Sequence, residues 1–374
     1  MKSREMVEPE GPERPGRPEQ PDDVTLEAIR AAAEILRGVV VRTPLLPFGR
    51  PDDGDPFGRT RVWLKPESLQ PIGAFKLRGA YFNIATLSAE RRAAGVVAHS
   101  SGNHAQGVAR AARLLGVRAV IVMPSDAPRI KVERVREDGA EIVFVGPSSE
   151  ERAERAAEMA RVEGLSLVDP YDDAATITGQ GTVGLEIVEQ LGGIEGIGRA
   201  GGSTGGQGER PAGEAPFTVL VPVGGGGIAA GVAVAVKSLR PDAVVIGVEP
   251  ALAADARDSL ARGEIVTWTP EEMARTIADG QRTTSIGLIP FALFRRHLDA
   301  IVTVGEGEIA RAMVRASREA RLVLEPSGAT TLAAWLFHGD ELPAKGRVVC
   351  ILSGGNVDPA RYDELLARGV AAGG

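Results

Sequence analysis

Residues 70–80 read Gln-Pro-Ile-Gly-Ala-Phe-Lys-Leu-Arg-Gly-Ala, and the rest of the chain is interpreted outward from this stretch. It places Lys76 beside Phe75 at the predicted start of a helix. An amine becomes a useful nucleophile when apolar surface or a second cation lowers its pKa. Phe75 and Ile72 supply the apolar surface and Arg78 supplies the cation, so Lys76 is predicted to be the reactive centre. The alternative is a water-exposed lysine in the first turn of a surface helix.

Three further stretches have the same pattern: a predicted strand is followed by glycine and small polar residues. They are His99–Gly107 with the strand before it, Val219–Ile228 and Val348–Asn356. Glycine lets a backbone approach a phosphate closely, and the N–H groups at the start of a helix attract anions. An anion site is therefore predicted at these loops, while a plain strand-to-helix turn is the alternative for each one.

Apolar runs of strand length alternate with helical periods along the chain, which predicts parallel sheets with crossover helices. The predicted strands are Arg61–Lys65, Val96–His99, Ala119–Met123, Ile142–Val145, Thr218–Val223, Val244–Glu249 and Arg347–Ser353. The predicted helices are Thr25–Leu36, Lys76–Leu87, Ala105–Leu115, Ile130–Glu137, Glu150–Val162 and Gly181–Leu191. The predicted fold class is α/β, in which ligands bind beyond the carboxyl ends of the strands.

Composition excludes several classes of protein. With 43 basic and 50 acidic residues among 374, the net charge is −7, so nothing favours binding to nucleic acid or to an anionic membrane. The longest apolar runs have strand length, which excludes a spanning helix. The single cysteine, Cys350, cannot form an internal disulfide, and this fits a reducing cytoplasm.

Two segments are predicted to lie outside the folded core. Residues 1–22 are rich in Glu, Pro and Arg without an apolar run, which predicts a disordered tail and not a targeting peptide. Residues 192–216 consist largely of Gly, Glu, Ser and Arg, which predicts a flexible surface insert. A structurally neutral insert and a regulatory one are both open.

Together, and in this order, the four stretches resemble the pyridoxal-phosphate enzymes of the threonine dehydratase and serine racemase family, from about Val24 to Pro359. The resemblance implies a fold type II enzyme with two domains, each with a mainly parallel sheet flanked by helices. The large domain would hold residues 23–90 and 173–374, and the small domain would hold residues 91–172. The resemblance also implies a homo-oligomer, either a dimer or a tetramer.

The resemblance implies that pyridoxal 5′-phosphate is the cofactor and assigns residues to it. Lys76 would carry it as a Schiff base beside Phe75, Asn103 would face its ring oxygen, and Ser353 would face its pyridine nitrogen. The phosphate cradle would be formed by Gly224, Gly225, Gly226 and Gly227. One departure is Ala74, where serine is usual in the family, and this would alter the polarity near the site.

Residues on the substrate side also follow from the resemblance. Ser101 matches the serine that acts as acid and base on the opposite face of the substrate, although it could instead cap a helix. Arg152 falls where the racemase branch has an arginine near the substrate, but Ala153 replaces the glutamate next to it. A lone arginine on a helix is more often a surface residue. Donors for the substrate carboxylate would come from Ser100, Ser101, Asn103 and His104.

A cation site is predicted directly after a strand. Glu249 and Asp255 are six residues apart, and their carboxylates suit a hard ion such as Mg²⁺ or Ca²⁺. Some family members have this spacing, with a carbonyl ligand at the position of Ala253. The alternative is a helix whose first turn carries acids that complement its dipole.

The function implied by the resemblance is dehydration and deamination of L-threonine, and of L-serine, to 2-oxobutanoate or pyruvate and ammonia. The neutral hydroxyl of Ser353 is expected to leave the ring nitrogen unprotonated, which favours prompt loss of a β-hydroxyl. The runner-up functions are serine racemase and 3-hydroxyaspartate dehydratase. A non-catalytic phosphate or nucleotide binder is a more distant alternative.

Overall fold

The computed structural model describes residues 17, 19–49, 62–100, 102–127, 129–146, 149–197, 216–343 and 346–373. Within these ranges, ten strands form two sheets with helices packed around them. The strands are β1 (Leu46–Phe48), β2 (Val62–Pro66), β3 (Val96–His99), β4 (Ala119–Pro124), β5 (Glu141–Val145), β6 (Ser166–Leu167), β7 (Phe217–Pro222), β8 (Val244–Pro250), β9 (Ala300–Val304) and β10 (Arg347–Leu352). The helices are α1 (Leu26–Ile35), α2 (Lys76–Ala85), α3 (Ala89–Ala94), α4 (Asn103–Leu115), α5 (Arg129–Glu137), α6 (Ser149–Glu163), α7 (Ala174–Ile197), α8 (Gly227–Leu239), α9 (Asp255–Arg262), α10 (Pro270–Met273), α11 (Leu288–His297), α12 (Glu306–Arg315), α13 (Pro326–His338) and α14 (Pro359–Ala371).

The larger sheet has six strands in the order β1-β2-β10-β7-β8-β9, and every neighbouring pair is parallel except β1 with β2. The smaller sheet has four parallel strands in the order β5-β4-β3-β6. Alternate residues of β7 enter different cores, since Val219 and Val221 pack on one face and Leu220 packs on the other. This architecture confirms the predicted α/β class with two mainly parallel sheets.

Helix α7 is longer at both ends than the predicted helix Gly181–Leu191. It begins after Asp173, whose carboxylate accepts a hydrogen bond from the N–H of Thr176 at 2.9 Å. A Cβ atom on Gly181 would lie 2.9 Å from the carbonyl oxygen of Gly231, so α7 and α8 pack with almost no space between their backbones. Residues 192–197 of the predicted insert are helical, and residues 198–215 lie outside the described ranges.

Helix α2 is held in place by a cluster of buried charges on the side opposite Lys76. The guanidinium of Arg78 donates to Glu67 at 2.7 Å and to Glu186 at 2.7 Å, and the amine of Lys65 lies 2.5 Å from Glu186. Two cations and two anions cancel in this cluster. A buried ion pair is tolerated when it is complete and hydrogen-bonded in this way.

The first described residues are attached to the body of the protein. One side-chain nitrogen of Arg17 lies 2.9 Å from Asp173, and the other donates to the carbonyl oxygen of Asn83 at 2.8 Å. A short 3₁₀ helix, Pro21–Asp23, then leads into α1. The predicted tail boundary at residue 22 therefore falls inside an ordered turn, and the prediction for residues 1–16 and 18 lies outside the described ranges.

Candidate active site

The loop that carries Lys76 is fastened to the carboxyl end of β10. The N–H of Phe75 donates to the carbonyl oxygen of Ser353 at 3.1 Å, and the N–H of Gly355 donates to that of Gly73 at 2.9 Å. Gly73 has φ +73°, a conformation that side-chain-bearing residues rarely adopt, so the loop turns at this point. Two predicted site residues, Phe75 and Ser353, are thereby brought together at the end of the larger sheet.

Lys76 is the first residue of α2, as the sequence predicts, and its amine is largely removed from water. The Nζ atom donates to the carbonyl oxygen of Pro170 at 2.7 Å and lies 5.1 Å from the centre of the Phe75 ring. Burial lowers the pKa of Lys76 to about 8, although the nearby carboxylate of Asp169 acts in the opposite direction. The predicted depression of the lysine pKa therefore agrees with the structure.

The prediction that Arg78 contributes to this depression is wrong. Its guanidinium is bound by Glu67 and Glu186, which neutralise its charge on the far side of α2. Residues two apart in a helix do not share a face, so the two cations point to different environments. Apolar burial alone accounts for the lowered pKa of Lys76.

A loop that the sequence analysis did not identify, residues 168–173, organises the site. The carbonyl oxygen of Val168 binds Nε2 of His104 at 2.8 Å, and that of Pro170 accepts from Lys76. Asp172 accepts hydrogen bonds from the N–H groups of Leu288 and Ile289. The signal for this loop was available, since Asp-Pro-Tyr-Asp-Asp directly after the apolar stretch that ends at Val168 is a run of turn-forming residues.

His104 is the second residue of α4 and is buried. Burial lowers the pKa of its imidazole to about 3, and the charge of Lys76 contributes to this lowering, so the ring is neutral. Because a carbonyl oxygen only accepts, Nε2 carries the proton and Nδ1 is an acceptor. The imidazole is therefore not the predicted donor to a substrate carboxylate, and only the backbone N–H of His104 can have that role.

Asn103 begins α4 at the carboxyl end of β3 and reaches across to the larger sheet. Its Nδ2 donates to Oε1 of Glu325 at 2.7 Å, and its Oδ1 accepts from Asn356 at 2.8 Å. Burial and the charge of Asp279 raise the pKa of Glu325 to about 8. Glu325 therefore has a role that the sequence did not reveal, which is to bind the side chain of Asn103.

The glycine run follows β7 and opens α8. Gly226, with φ +94°, precedes Gly227 at the first position of the helix, where N–H groups have no intrahelical partner. A Cβ atom on Gly225 would lie 2.2 Å from the ring of Tyr171, and one on Gly224 would lie 3.1 Å from Gln281. Other residues already fill the space beside these positions, so only glycine fits there, and the N–H groups at the start of α8 are suited to an anion such as a phosphate.

Ser353 directly follows β10, and its side chain is buried. Its hydroxyl donates to the carbonyl oxygen of Ser327 at 3.4 Å, and the hydroxyl oxygen of Ser327 in turn accepts from the N–H of Gly280 at 2.9 Å. The group at this position is therefore a neutral hydroxyl, which can accept or donate a hydrogen bond but does not carry a charge.

Comparison with known proteins identifies the family to which this geometry belongs. A model of the pyridoxal-phosphate-dependent enzyme family matches residues 36–354. The chain belongs to this family. The resemblance predicted from the sequence is therefore confirmed.

Individual relatives cover most of the chain. An L-threonine ammonia-lyase of Thermotoga maritima is 39% identical over 359 residues, covering 94% of this chain and 80% of the relative. An L-threo-3-hydroxyaspartate ammonia-lyase of Saccharomyces cerevisiae is 38% identical and covers 82% of this chain and 86% of the relative. The solved structure of maize serine racemase superposes with a TM-score of 0.78 at 34% identity, covering 93% of this chain and 98% of that one.

The site fits the cofactor of this pyridoxal-phosphate-dependent enzyme. Lys76 supplies an amine of lowered pKa, and the loop of Gly224–Gly227 leads into the start of α8, where N–H groups have no intrahelical partner. Asn103 and Ser353 place polar groups at the ends of the two sheets on either side. Lys76 could hold the aldehyde carbon of the cofactor, and the Gly224–Gly227 loop could hold its phosphate. Asn103 could bind the ring oxygen, and Ser353 could bind the ring nitrogen.

The structure also describes two further residues predicted to face the substrate, Ser100 and Arg152. Ser100 is described, and its hydroxyl accepts from the N–H of Gly102 at 3.1 Å, while Ser101 lies outside the described residues. Arg152 on α6 is half-buried, and burial lowers its pKa while Asp126 acts to raise it. Arg152 lies near the start of α6, and its charge contributes to lowering the pKa of His99 at the carboxyl end of β3.

The candidate cation site lies at the end of β8. Glu249 accepts from the N–H groups of Ala256 and Arg257 at 3.1 and 2.9 Å, as the helix-dipole alternative expects. Asp255 is buried, and neither of its carboxylate oxygens has a well-aligned hydrogen bond within the described residues, although the backbone N–H groups of Asp255 and Ile286 lie near enough to lower its pKa. Burial raises the pKa of Asp255 to about 7, and burial together with Asp255 raises that of Glu249. Ala253 lies between them with its side chain buried.

Two further observations concern the whole of the described chain. None of its helices is both long and apolar enough to cross a membrane. No group of three or more His, Cys, Asp or Glu side chains within it is arranged to hold a metal ion. The predicted cation site, with two carboxylates and a carbonyl, is smaller than such a group.

Proposed function

We propose that this pyridoxal-phosphate-dependent enzyme is an ammonia-lyase that dehydrates and deaminates L-threonine and L-serine. The observation that carries the proposal is the amine of Lys76, which is held at the carboxyl end of the sheet with a pKa of about 8. The L-threonine ammonia-lyase of Thermotoga maritima, which is 39% identical over most of the chain, supports the choice of substrate.

Lys76 would have two roles, as covalent anchor and as base. At pH 7 an amine of pKa 8 is about 9% unprotonated, against about 0.03% for an ordinary lysine of pKa 10.5. With the substrate bound in its place, the free amine of Lys76 would accept the proton from Cα of the substrate. A base works best when its pKa lies near the working pH.

The cofactor, when bound, supplies the electron sink for the electrons left on Cα. The other residues position it. The Gly224–Gly227 loop would bind the phosphate at the start of α8, Phe75 would pack beside the ring, and Asn103 would donate to the ring oxygen.

Ser353 would decide the fate of the substrate after the Cα proton is removed. A carboxylate at this position would hold a proton on the ring nitrogen, whereas the neutral hydroxyl of Ser353 would not. A weaker electron sink favours prompt loss of the β-hydroxyl over a long-lived carbanion. This supports elimination as the main reaction and racemisation as a minor one.

The alternative substrates have specific support as well. The relative from Saccharomyces cerevisiae is named for L-threo-3-hydroxyaspartate, and Arg152 is a cation near the start of α6 where a second carboxylate could bind. Racemisation would need Ser101 as the acid on the opposite face, and the replacement of the racemase glutamate by Ala153 argues against racemase-type control.

The experiment that tests the proposal is release of 2-oxo acids by the cofactor-loaded enzyme. L-Threonine, L-serine, D-serine and the 3-hydroxyaspartates are compared, with chiral analysis of the serine that remains. Rapid 2-oxobutanoate from L-threonine is the expected result. Accumulation of D-serine, or preference for a hydroxyaspartate, would replace the proposal with one of the two runner-up functions.

The remaining features of the proposal concern the whole protein. The two sheets support a large domain of residues 23–90 and 173–374 and a small domain of residues 91–172. The buried carboxylate of Asp255 supports an Mg²⁺ or Ca²⁺ site with Glu249 and the carbonyl of Ala253. We also propose a cytoplasmic location and a dimeric or tetrameric assembly, which the lone buried Cys350 and the family resemblance favour.

A further inference from the structure

Arg134 connects the helices of the smaller sheet to the loop that comes after β10. It lies on α5, and its Nη1 donates to Oδ1 of Asn356 at 2.6 Å. One turn earlier on the same helix, Lys131 forms a second connection to the larger sheet, an ion pair of 3.1 Å with Asp279. Among the described residues, both contacts attach α5 to the large-sheet side. Arg134 reaches Asn103 through hydrogen bonds of Asn356, whereas the charges of Lys131 and Asp279 act on Glu325, the other partner of Asn103.

Arg134 determines which atom of the Asn356 amide accepts a hydrogen bond and which atom donates. A guanidinium only donates, so the Asn356 atom that it touches must be the carbonyl oxygen. The Nδ2 group of Asn356 then donates to the carbonyl oxygen of Ile72 at 2.7 Å and to Oδ1 of Asn103 at 2.8 Å. The carbonyl of Ile72 can only accept, so it imposes the same orientation on this amide.

The orientation passes on to Asn103. Because its Oδ1 accepts from Asn356, its other amide atom is the NH₂ group, which donates one hydrogen to Glu325 at 2.7 Å. An NH₂ group has two hydrogens, so one donor of Asn103 remains for a further acceptor. A ring oxygen bound here would meet a hydrogen-bond donor and not a carbonyl oxygen.

The side chain of Asn356 packs against the loop that carries Lys76. A Cβ atom on Gly73 would lie within 2.4 Å of Oδ1 of Asn356, so the amide is in direct contact with the loop that carries Lys76. The same amide binds the carbonyl of Ile72 in that loop. Asn356 thus holds the lysine loop and Asn103 together, and Arg134 binds its remaining polar atom.

We propose that Arg134 is a positioning residue for the cofactor ring: through Asn356 it holds the amide of Asn103 with an N–H donor available to the ring oxygen. The inference rests on the proposed role of Asn103. Arg134 would thus affect cofactor binding without touching the cofactor. The strength of that binding would then depend on how α5 packs against the large-sheet side.

The test compares Arg134→Met with three other variants. Arg134→Lys keeps a donor, Arg136→Met changes an exposed arginine of the same helix, and Lys131→Met breaks the other connection of α5. Each apoenzyme is titrated with pyridoxal phosphate, and the dissociation constant and the position of the visible absorbance band are measured. Thermal unfolding of each apoenzyme reports general loss of stability.

Arg134→Met is expected to raise the dissociation constant about threefold to tenfold, which corresponds to loss of one hydrogen bond to a charged group acting through a neighbour. It should also move the absorbance band, because the donor at the ring oxygen is disordered. Arg134→Lys should recover part of both effects. Arg136→Met should leave both within about twofold of wild type. Lys131→Met removes a charge that acts on Glu325 but no hydrogen bond to Asn356, so it should lower the unfolding temperature and change the dissociation constant and the band less than Arg134→Met does.

Two results would overturn the inference. One is an unchanged dissociation constant and band in Arg134→Met, and the other is an equal change in Lys131→Met, which would mean that any loss of α5 contacts has the same effect. If Arg134→Met does not fold, Arg134→Gln takes its place with the same expected direction. Failure of the wild-type protein to develop a visible band would instead defeat the proposed function.

Discussion

Lys76 and Arg78 are two cations on one helix, two residues apart, with opposite properties. Burial alone would lower the pKa of each. Glu67 and Glu186 outweigh burial at Arg78 and raise its pKa above the ordinary value. At Lys76, the one charge among the described residues that opposes burial is Asp169, and the pKa falls to about 8. A buried cation with two bound carboxylates is a structural element, and one with a single carbonyl partner is available for chemistry.

The same contrast holds for two buried glutamates. Burial would raise the pKa of Glu67, but Arg78 lowers it below the ordinary value. Burial raises the pKa of Glu249 well above the ordinary value, and Asp255 raises it further. Where a buried carboxylate has no cation beside it, a proton or a metal ion is the natural partner.

The largest effect on activity should come from replacing Lys76, the cation that has no bound carboxylate. Lys76→Ala should reduce the release of 2-oxo acid by at least about a thousandfold, since it removes the anchor and the base together. It should also abolish the visible absorbance of the loaded enzyme. Lys237→Ala, which changes a lysine paired with Asp299, is the control and should retain activity. Substantial lyase activity without Lys76 would contradict the assignment.

Replacing Arg78, the cation bound by two carboxylates, should change the stability of the fold. Arg78→Met should lower the free energy of unfolding by about 3–5 kcal/mol, because it leaves buried carboxylates without their cation. Denaturant unfolding measures this loss. Adding Glu67→Gln should restore part of it by removing one uncompensated charge. A loss below about 1 kcal/mol would mean that the cluster is not a structural element of the fold.

The unpaired carboxylates predict a response to cations that depends on pH. The folded pKa of Asp255, about 7, lies above its ordinary value of 3.8, so without a cation stability should fall as pH rises between these values. A cation needs the ionised carboxylates and should raise the unfolding temperature more above pH 7 than below it. A cation present at about 100 times its dissociation constant would add about 2.7 kcal/mol.

Chelation is the matched measurement for this site. It should lower the unfolding temperature of the wild type and leave Asp255→Asn unchanged. An identical response of the two proteins, or none after exhaustive chelation, would leave Glu249 as the helix cap that its hydrogen bonds to α9 describe.

A smaller effect is expected where Asp169 acts on Lys76. The carboxylate of Asp169 raises the pKa of Lys76, so Asp169→Asn should move that pKa below about 8 while an amide oxygen can still accept from Tyr171 and Asp172. The pH dependence of acylation of the apoenzyme amine measures the change. Asp173→Asn in the same loop is the control, and a shift to higher pH in Asp169→Asn would contradict the account.

The smallest effect should follow Arg17→Ala. This residue ties the first described segment to Asp173, and a partly exposed ion pair of this kind contributes about 1 kcal/mol or less. The unfolding temperature should fall by a few degrees at most, with KM for L-threonine unchanged. A marked rise in KM would show that the segment also holds the 168–173 loop in its active position.

The sequence by itself was enough to predict that Lys76 begins a helix, that the glycine run follows a strand and that the sheets are mainly parallel. Each depends on a local pattern: a lysine at a helix start, glycines after an apolar strand, and strands that alternate with helices. These patterns are visible because backbone conformation and strand burial act over a few residues. The family resemblance follows from their order along the chain.

Only the tertiary structure decided which charges are paired. Arg78 and Lys76 look alike in sequence, yet Glu186, more than 100 residues later, neutralises the first and not the second. The 168–173 loop and the contacts from Arg134 through Asn356 to Asn103 likewise join segments that are distant in the chain. The pKa of a buried group depends on every charge and dipole around it, and folding alone brings these together.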